Sequence, residues 1–277
     1  MKDVKDFLNS LKTDKQTLHD LHGELKYAGI MQRGMFPKKR HFDRIFDDNF
    51  LIYLPKSQIS GDFYWVAEKN EYKYIAAADC TGHGIPAAML SVLGYSLLNY
   101  ALFSADLNST AEILRKMDQK FIEAFDFSDE KEGAHSNDWI DISICRINRL
   151  NHTITYSGAN RKLFAISNDN RSYILNGSRY PIGGWQLEDY REFSATEIQL
   201  AEGDWIYIGS DGYQDQFGGP KASVGGKKFG SRQLHQILKT NFKLKGEEQK
   251  KILLDKYVKW IGSMEQTDDI CLLGVKI

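Results

Sequence analysis

The chain has 277 residues, and its 36 lysine and arginine residues nearly balance 37 acidic residues, which gives a formal net charge of −1. This balance provides no electrostatic footprint for nucleic acid or for an anionic membrane. Hydrophobic residues make up 42% of the chain and charged residues 26%, which excludes a disordered, a collagen-like and a membrane-bundle protein. The cysteines Cys80, Cys145 and Cys271 are far apart and form no CxxC pair. We therefore expect reduced thiols in a cytoplasmic protein.

The first 33 residues follow a seven-residue hydrophobic repeat, which predicts a helix. This segment, 1–36, is either a coiled-coil linker that forms a homodimer or an amphipathic helix lying on its own domain. Because the pattern begins inside a helix, we expect the chain to be the C-terminal, cytoplasmic portion of a longer sensor protein. One position of the repeat holds Val4, Leu11, Leu18 and Leu25, and the other holds Phe7, Leu21 and Ala28, with Asp14 as the exception.

Residues 37–277 form a second unit, in which short β-rich runs alternate with two helical blocks. Helices are predicted at 85–104, 110–126, 231–242 and 247–261. The uncharged stretch from Ile85 to Ala105 contains Pro86, Gly94 and Asn99, which favours a buried core helix over a transmembrane span. The pattern indicates an α+β fold with two packed sheets covered by helices. Strands are predicted at 50–54, 63–68, 72–78, 139–147, 153–156, 162–166, 192–200, 204–208 and 270–277.

Acidic residues stand at the ends of four predicted strands, at Asp62, Asp79, Asp211 and the pair Asp268-Asp269. An isolated aspartate at such a position is usually a turn former or a helix cap. Converging carboxylates repel one another and need a cation, yet no lysine or arginine lies within three residues of Asp62, Asp79 or Asp211. Hard divalent ions with oxygen ligands would meet that need. The spacing alone leaves the turn and metal interpretations open.

Four motifs carry a resemblance to a known family: Ser-Gly-Asp-Phe-Tyr-Trp at 60–65, Asp-Cys-Thr-Gly-His-Gly-Ile-Pro-Ala-Ala at 79–88, Ser-Asp-Gly at 210–212 and Thr-Asp-Asp-Ile at 267–270. Together they resemble the bacterial PPM-type, protein phosphatase 2C-like serine/threonine phosphatases, and within them the SpoIIE/RsbU branch. The resemblance implies a four-layer α-β-β-α sandwich with an N-terminal helical extension and two Mn²⁺ or Mg²⁺ ions. It further implies hydrolysis of phosphoserine or phosphothreonine by direct attack of a metal-activated water. The implied substrate is an anti-sigma-factor antagonist or a related STAS-type protein.

The resemblance also assigns the metal ligands residue by residue. Asp79 would bridge both ions, and the carbonyl of Cys80 would complete one coordination sphere. Asp211 and Asp268 would hold the other ion, and Asp62 would bind through its carboxylate or a water. With Asp79, these three aspartates are also the expected catalytic residues.

Two further residues differ from the pattern of the eukaryotic relatives. Asp269 stands where eukaryotic relatives carry asparagine and is kept as a candidate ligand. His83 resembles the proton donor of those relatives, but Thr81-Gly82 shifts it along the loop, so we do not expect it to be the general acid. Two alternatives to a protein phosphatase remain, a catalytically silent partner-binding domain of the same fold and a small-molecule phosphatase.

Overall fold

The computed structural model describes residues 20–104, 109–125, 137–184, 191–220 and 225–277. A helix over 20–35, α1, precedes the rest. The other helices are α2 (Lys39–Ile45), α3 (Ile85–Ser104), α4 (Thr110–Phe125), α5 (Gly212–Asp215), α6 (Ser231–Asn241) and α7 (Gly246–Ile261). The strands are β1 (Asn49–Leu54), β2 (Phe63–Lys69), β3 (Tyr72–Cys80), β4 (Trp139–Asn148), β5 (Thr153–Ala159), β6 (Lys162–Ile166), β7 (Ser172–Asn176), β8 (Ile182–Gly183), β9 (Thr196–Gln199), β10 (Trp205–Gly209), β11 (Phe217–Gly218), β12 (Lys227–Lys228) and β13 (Ile270–Lys276).

Most of these strands form two antiparallel sheets. The first sheet has the order β1-β13-β10-β6-β7, and the second has the order β2-β3-β4-β5-β9 with β8 beside β4. The short strands β11 and β12 pair with each other as a separate ribbon. The chain passes between the sheets several times, and one of these connections is the turn between β5 and β6.

Alternation along the strands divides the apolar residues between two cores. Ile206 and Ile208 of β10 belong to the core that contains the second sheet, α3 and α4. Trp205 and Tyr207 belong to the core on the other face of the first sheet, beneath α6 and α7. Because successive side chains of a strand point to opposite faces, both faces of the first sheet are buried. The predicted four-layer α-β-β-α sandwich is confirmed.

Helix α3 is long and apolar enough over Ile85–Phe103 to cross a membrane by length and composition. One of its faces is nevertheless part of the domain core, with Leu98 and Leu102 fully buried and the helix packed on β2, β3 and α4. Gly94 lies so close to the second sheet that a Cβ there would come within 2.7 Å of Ile140 Cδ1. Burial of this face agrees with the expected core helix, but it does not account for the whole apolar composition, since Met89 and Phe103 are exposed.

Most predicted strands and helices are found within one to three residues of their expected bounds. The predicted strand 192–200 is shorter, since pairing is confined to Thr196–Gln199. Strands β7 and β8 were not predicted, because β7 is an edge strand with alternating exposure and β8 has two residues. The three cysteines are free and buried, in agreement with the expected reduced thiols.

The described part of the N-terminal helix, 20–35, is attached to the domain at its C-terminal end. Gln32 Nε2 donates to the carbonyl of Ser60 at 2.6 Å and to Ser91 Oγ at 2.8 Å, and Gln32 Oε1 accepts the N–H of Ser60 at 3.1 Å. The next buried residue, Phe36, packs its ring 5.4 Å from that of Tyr95. Of the repeat positions, those up to Leu18 lie outside the described residues. Among the others, Leu21 is exposed, while Leu25 is half-buried and Ala28 is exposed.

Candidate metal centre

The four predicted strand-end aspartates lie at the same end of the sandwich. Asp62 directly precedes β2, and β2 is antiparallel to β3 with Phe63 opposite Ala78, so Asp62 lies beside Asp79. In the first sheet, Gly209 of β10 is opposite Leu272 of β13, which brings Asp211 to the side of Asp268. The topology therefore turns residues that are far apart in sequence into two neighbouring pairs, one on each sheet.

Hydrogen bonds join the two pairs across the gap between the sheets. Ser210 Oγ donates to Asp62 Oδ2 at 2.6 Å, and Tyr53 Oη donates to the carbonyl oxygen of Asp62 at 3.1 Å. The side chain of Asp62 is thereby fixed, and the residue is 2% exposed. The orientation of this carboxylate is therefore set by the protein and not by solvent.

Gly61 leaves room beside the carbonyl of Cys80. A Cβ on Gly61 would lie 3.2 Å from that carbonyl oxygen and 3.0 Å from the methyl group of Ala87. Any larger residue would therefore crowd the backbone oxygen that the resemblance assigns to the metal. The glycine of the Ser-Gly-Asp motif keeps that side of the site open.

Asp268 and Asp269 have different surroundings. Asp269 is 4% exposed, and its two oxygens accept the backbone N–H groups of Lys56 and Gly61, each at 2.7 Å. Asp268 is half-buried, and its Oδ1 accepts the N–H of Asp269 at 2.8 Å. The structure thus gives Asp269 a positioning role on the loop that carries Asp62, whereas its role as a metal ligand stays a prediction.

The sequence analysis missed two residues that the structure places among the aspartates, Arg161 and Asp141. Arg161 Nη1 lies 3.0 Å from Asp211 Oδ2, and its Nη2 bonds Asp79 Oδ2 and lies 3.5 Å from Asp141 Oδ2. Asp141 pairs with Asp79 across β3 and β4. The search for cations within three residues of each aspartate could not find an arginine that comes from the distant turn between β5 and β6. The signal available in sequence was Asp141 itself, a charge within a strand otherwise rich in isoleucine.

The carboxylates carry the electrostatic signature of crowded, buried acids. Burial raises the pKa of Asp79 to about 7, with Arg161 opposing the shift and Asp211 adding to it. Burial, assisted by Asp79, raises the pKa of Asp62 well above its usual value. Burial also raises the pKa of Asp141 to about 6. One guanidinium therefore does not neutralise the cluster, and clustered groups of this kind mark functional sites.

The donor set suits a hard divalent ion, since it consists of carboxylates and a backbone carbonyl. In the part of the chain that the structure describes, no three His, Cys, Asp or Glu side chains stand in a ready-made metal-binding arrangement, and Arg161 lies among the carboxylates instead. The residues present fit the ions in the chemistry of their donor atoms. His83 is exposed on the loop after β3, between Gly82 and Gly84 with φ of 81° and 78°, and its role stays a prediction.

Comparisons with known proteins agree with the motifs. The family model of stage II sporulation protein E (SpoIIE) matches residues 70–277. The phosphoserine phosphatase RsbU of Bacillus subtilis (strain 168) is 27% identical over 207 residues, which are 72% of this chain and 57% of RsbU. The chain thus spans little more than half the length of that relative.

Solved structures show the same fold. The SiaA-PP2C domain of Pseudomonas aeruginosa has a TM-score of 0.81 and 26% identity, covering 94% of this chain and 98% of that domain. RsbX, solved in complex with magnesium, has a TM-score of 0.55 and 19% identity, covering 83% of this chain and 94% of RsbX. The family model spans most of the chain and the fold agrees with it. The chain therefore belongs to the SpoIIE family, within the SpoIIE/RsbU branch of the bacterial PPM-type phosphatases.

Proposed function

We propose that this chain is a metal-dependent phosphatase domain that hydrolyses phosphoserine or phosphothreonine on a partner protein. The observation that carries the proposal is the meeting of four strand-end aspartates from both sheets at one end of a sandwich that belongs to the SpoIIE family. A phosphate ester hydrolyses very slowly without help, and charge neutralisation with an activated water is the main requirement of its catalysis. The clustered carboxylates would bind the cations that supply this positive charge.

Some residues of the site would bind the ions, and others position the ligands. Asp79 and the Cys80 carbonyl on the second sheet, with Asp211 and Asp268 on the first, would hold two Mn²⁺ or Mg²⁺ ions. When bound, the ions would lower the pKa of a water and offset the charge of the phosphate. Asp62, fixed by Ser210 Oγ at 2.6 Å, would bind directly or through a water. The site then needs no nucleophilic side chain, since water is the attacking group.

A groove beside the aspartates supports a protein substrate over a small molecule. The groove has a volume of about 590 Å³ and begins at Arg161 and Ser210. Lys162, Arg232 and Lys239 line it, and the described residues around it include no acidic side chain. A cationic groove next to the reacting phosphate would attract an acidic surface. We propose a phosphorylated STAS-type protein, such as an anti-sigma-factor antagonist, as the substrate.

The direct test is phosphate release from a phosphorylated STAS protein, measured with Mn²⁺, with Mg²⁺ and with chelator. Release that depends on metal and is lost in Asp211→Asn supports the proposal. Metal-independent release, or release unchanged in Asp211→Asn, contradicts the site. The control variant Asp255→Asn removes one carboxylate from α7, on the far side of the first sheet from the second sheet, and should retain full activity.

The same assay separates the two alternatives. A catalytically silent binding domain would bind the phosphoprotein, by calorimetry, without releasing phosphate at any metal concentration. A small-molecule phosphatase would turn over an aryl phosphate with a higher kcat/KM than the folded phosphoprotein. Arg232→Glu should raise KM for the phosphoprotein and leave turnover of the aryl phosphate unchanged if the groove binds the substrate.

We further propose that 1–36 is a helical linker that forms a homodimer in a cytoplasmic protein. Large apolar side chains are exposed along the described part of α1, including Tyr27 at 65% and Met31 at 58%. Met89 of α3 is 66% exposed, and α1 crosses α3 where Gln32 binds Ser91. Exposed apolar side chains on two neighbouring helices are typical of a protein interface.

Sedimentation at several concentrations tests the dimer. Tyr27→Asp/Met31→Asp should shift the chain to the monomer mass. Val258→Asp should not, because that residue is 64% exposed but lies on α7, the outer helical layer of the first sheet. Equal masses for the wild type and both variants at high concentration would contradict the dimer.

A further inference from the structure

The second sheet places two acidic residues directly opposite each other. Asp79 of β3 and Asp141 of β4 are Cα partners in the antiparallel register, and like charges in that position destabilise a sheet. Asp211 approaches from the first sheet, and its carboxylate lies near the same guanidinium. Arg161 offsets this repulsion, since it hydrogen-bonds Asp79 and Asp211 and forms an ion pair with Asp141 at 3.5 Å.

Arg161 is held in place by its backbone as well as by its charge. Tyr156 Oη donates to the Arg161 carbonyl at 2.8 Å, and Gly177 N–H donates to the same oxygen at 2.9 Å. Asn160, with φ of 56°, donates from Nδ2 to Asp141 Oδ2 at 2.8 Å. The turn thus aims the arginine side chain into the cluster, where it is 10% exposed.

The hydrogen bonding of this cluster is incomplete. Within the described structure, Arg161 Nε and Asp141 Oδ1 are buried without a hydrogen-bond partner. Buried polar atoms without partners are unfavourable, so the arginine-bound arrangement is not the one in which every group is satisfied. Two of the three carboxylates it binds, on Asp79 and Asp211, are the proposed ligands of the ions.

We propose that Arg161 is an internal counter-ion of the metal centre, which binds Asp79 and Asp211 in the metal-free protein and competes with divalent ions for them. This inference rests on the proposed function, since it takes these aspartates as metal ligands. Arg161 stabilises the metal-free fold and weakens metal affinity, and Asp141, which is not among the proposed ligands, anchors the guanidinium. The concentration at which the site fills is therefore set partly by an arginine outside the ligand set.

The experiment measures Mn²⁺ affinity by calorimetry and thermal melting in chelator for the full chain. Arg161→Met should bind Mn²⁺ at least about tenfold more tightly than the wild type, because no guanidinium then occupies the carboxylates or repels the ion from them. In chelator, its Tm should fall by roughly 5–10 °C, because three carboxylates lose their counter-ion. Arg161→Lys keeps the charge but cannot bridge three carboxylates, so its Mn²⁺ affinity should lie between the two.

The matched control is Lys162→Met, which removes the same charge from the adjacent, exposed residue. It should change Mn²⁺ affinity less than about threefold and leave the Tm in chelator unchanged. If Arg161→Met binds Mn²⁺ no more tightly than Lys162→Met, the counter-ion inference is overturned. Should Arg161→Met fail to fold, Arg161→Lys decides, and an affinity equal to that of the wild type overturns the inference.

Different results would overturn the proposed function and the counter-ion inference. Absence of Mn²⁺ and Mg²⁺ binding by the wild type would overturn the metal centre and the counter-ion with it. Normal metal binding and phosphate release by the wild type, combined with unchanged affinity in Arg161→Met, would overturn the counter-ion alone.

Discussion

Asp269→Asn separates a positioning carboxylate from a metal ligand. The two oxygens of Asp269 each accept one buried backbone N–H, from Lys56 and from Gly61, at 2.7 Å. Asparagine is almost the same size, but one of its two terminal groups is a donor. One buried N–H would then face another donor, and the loop from Lys56 to Gly61 would lose one of the two bonds that fix it.

The expected cost follows from the type of bond. A hydrogen bond to a charged group contributes about 1.5–3 kcal/mol, and an unsatisfied buried donor costs about 1–3 kcal/mol. Loss of the negative charge also relieves repulsion on Asp62, which Asp269 acts on electrostatically, and this offsets part of the cost. A net loss of about 2–3 kcal/mol corresponds to a fall in Tm of roughly 4–12 °C for a domain of this size.

The neighbouring residue supplies the matched comparison. Asp268 is half-buried, and asparagine at that position can still accept the N–H that Oδ1 accepts now. Asp268→Asn should therefore change the Tm in chelator by less than about 3 °C while abolishing phosphate release. Melting of both variants in chelator and phosphate release at saturating Mn²⁺ are the two measurements. Equal losses of Tm in the two variants, or an unchanged Tm in Asp269→Asn, would contradict the positioning role of Asp269.

Three further predictions concern the site. Asp79→Asn and Asp211→Asn should each retain less than about 10% of wild-type phosphate release at saturating Mn²⁺, with unchanged circular dichroism; higher activity in both would contradict their role as ligands. His83→Ala should lose less than about a hundredfold in kcat, below the effect of an essential general acid; a larger loss at equal metal affinity would restore that role. In chelator, Tm should fall as pH rises from 5 to 8. Burial raises the pKa of Asp79 to about 7 in the folded chain, from ~3.9 in the unfolded chain. The stability that the protonated carboxyl contributes at low pH is therefore lost as the pH rises through 7. A Tm that rises with pH in chelator would contradict this sign.

The sequence was sufficient to predict the parts of the site that are local. Each strand-end aspartate stands beside a strand that the apolar pattern predicts, and antiparallel pairing brings the strand ends together. These aspartates are Asp62, Asp79, Asp211 and Asp268. The two helical layers could also be predicted from the sequence, since the helices that cover a face of each sheet carry a periodic apolar pattern.

The missed features depend on contacts that have no local signature. Arg161 reaches Asp79 across 82 residues of chain, and nothing in its immediate neighbourhood marks it as a cation for that carboxylate. Likewise the bond between the Gly61 N–H and Asp269 Oδ2 joins residues 208 positions apart, so no local pattern indicates this positioning contact, and the role of Asp269 as a ligand stays a prediction. Short polar edge strands such as β7 lack the apolar run by which the central strands were predicted.

The cluster also shows why ligands and supports can be told apart by stability. The apolar core holds the two sheets together along their length. At this end the carboxylate of Asp79 on one sheet is repelled by those of Asp211 and Asp268 on the other, and Asp62 is repelled by Asp269. Ser210, Asp269 and Arg161 each make a bond from one sheet to the other that opposes this repulsion. Neutralising a ligand therefore relaxes the metal-free fold, whereas removing one of the three supports strains it. A residue of this site belongs to the first group if its neutralisation does not lower Tm in chelator but abolishes activity with Mn²⁺. It belongs to the second group if its substitution lowers Tm in chelator.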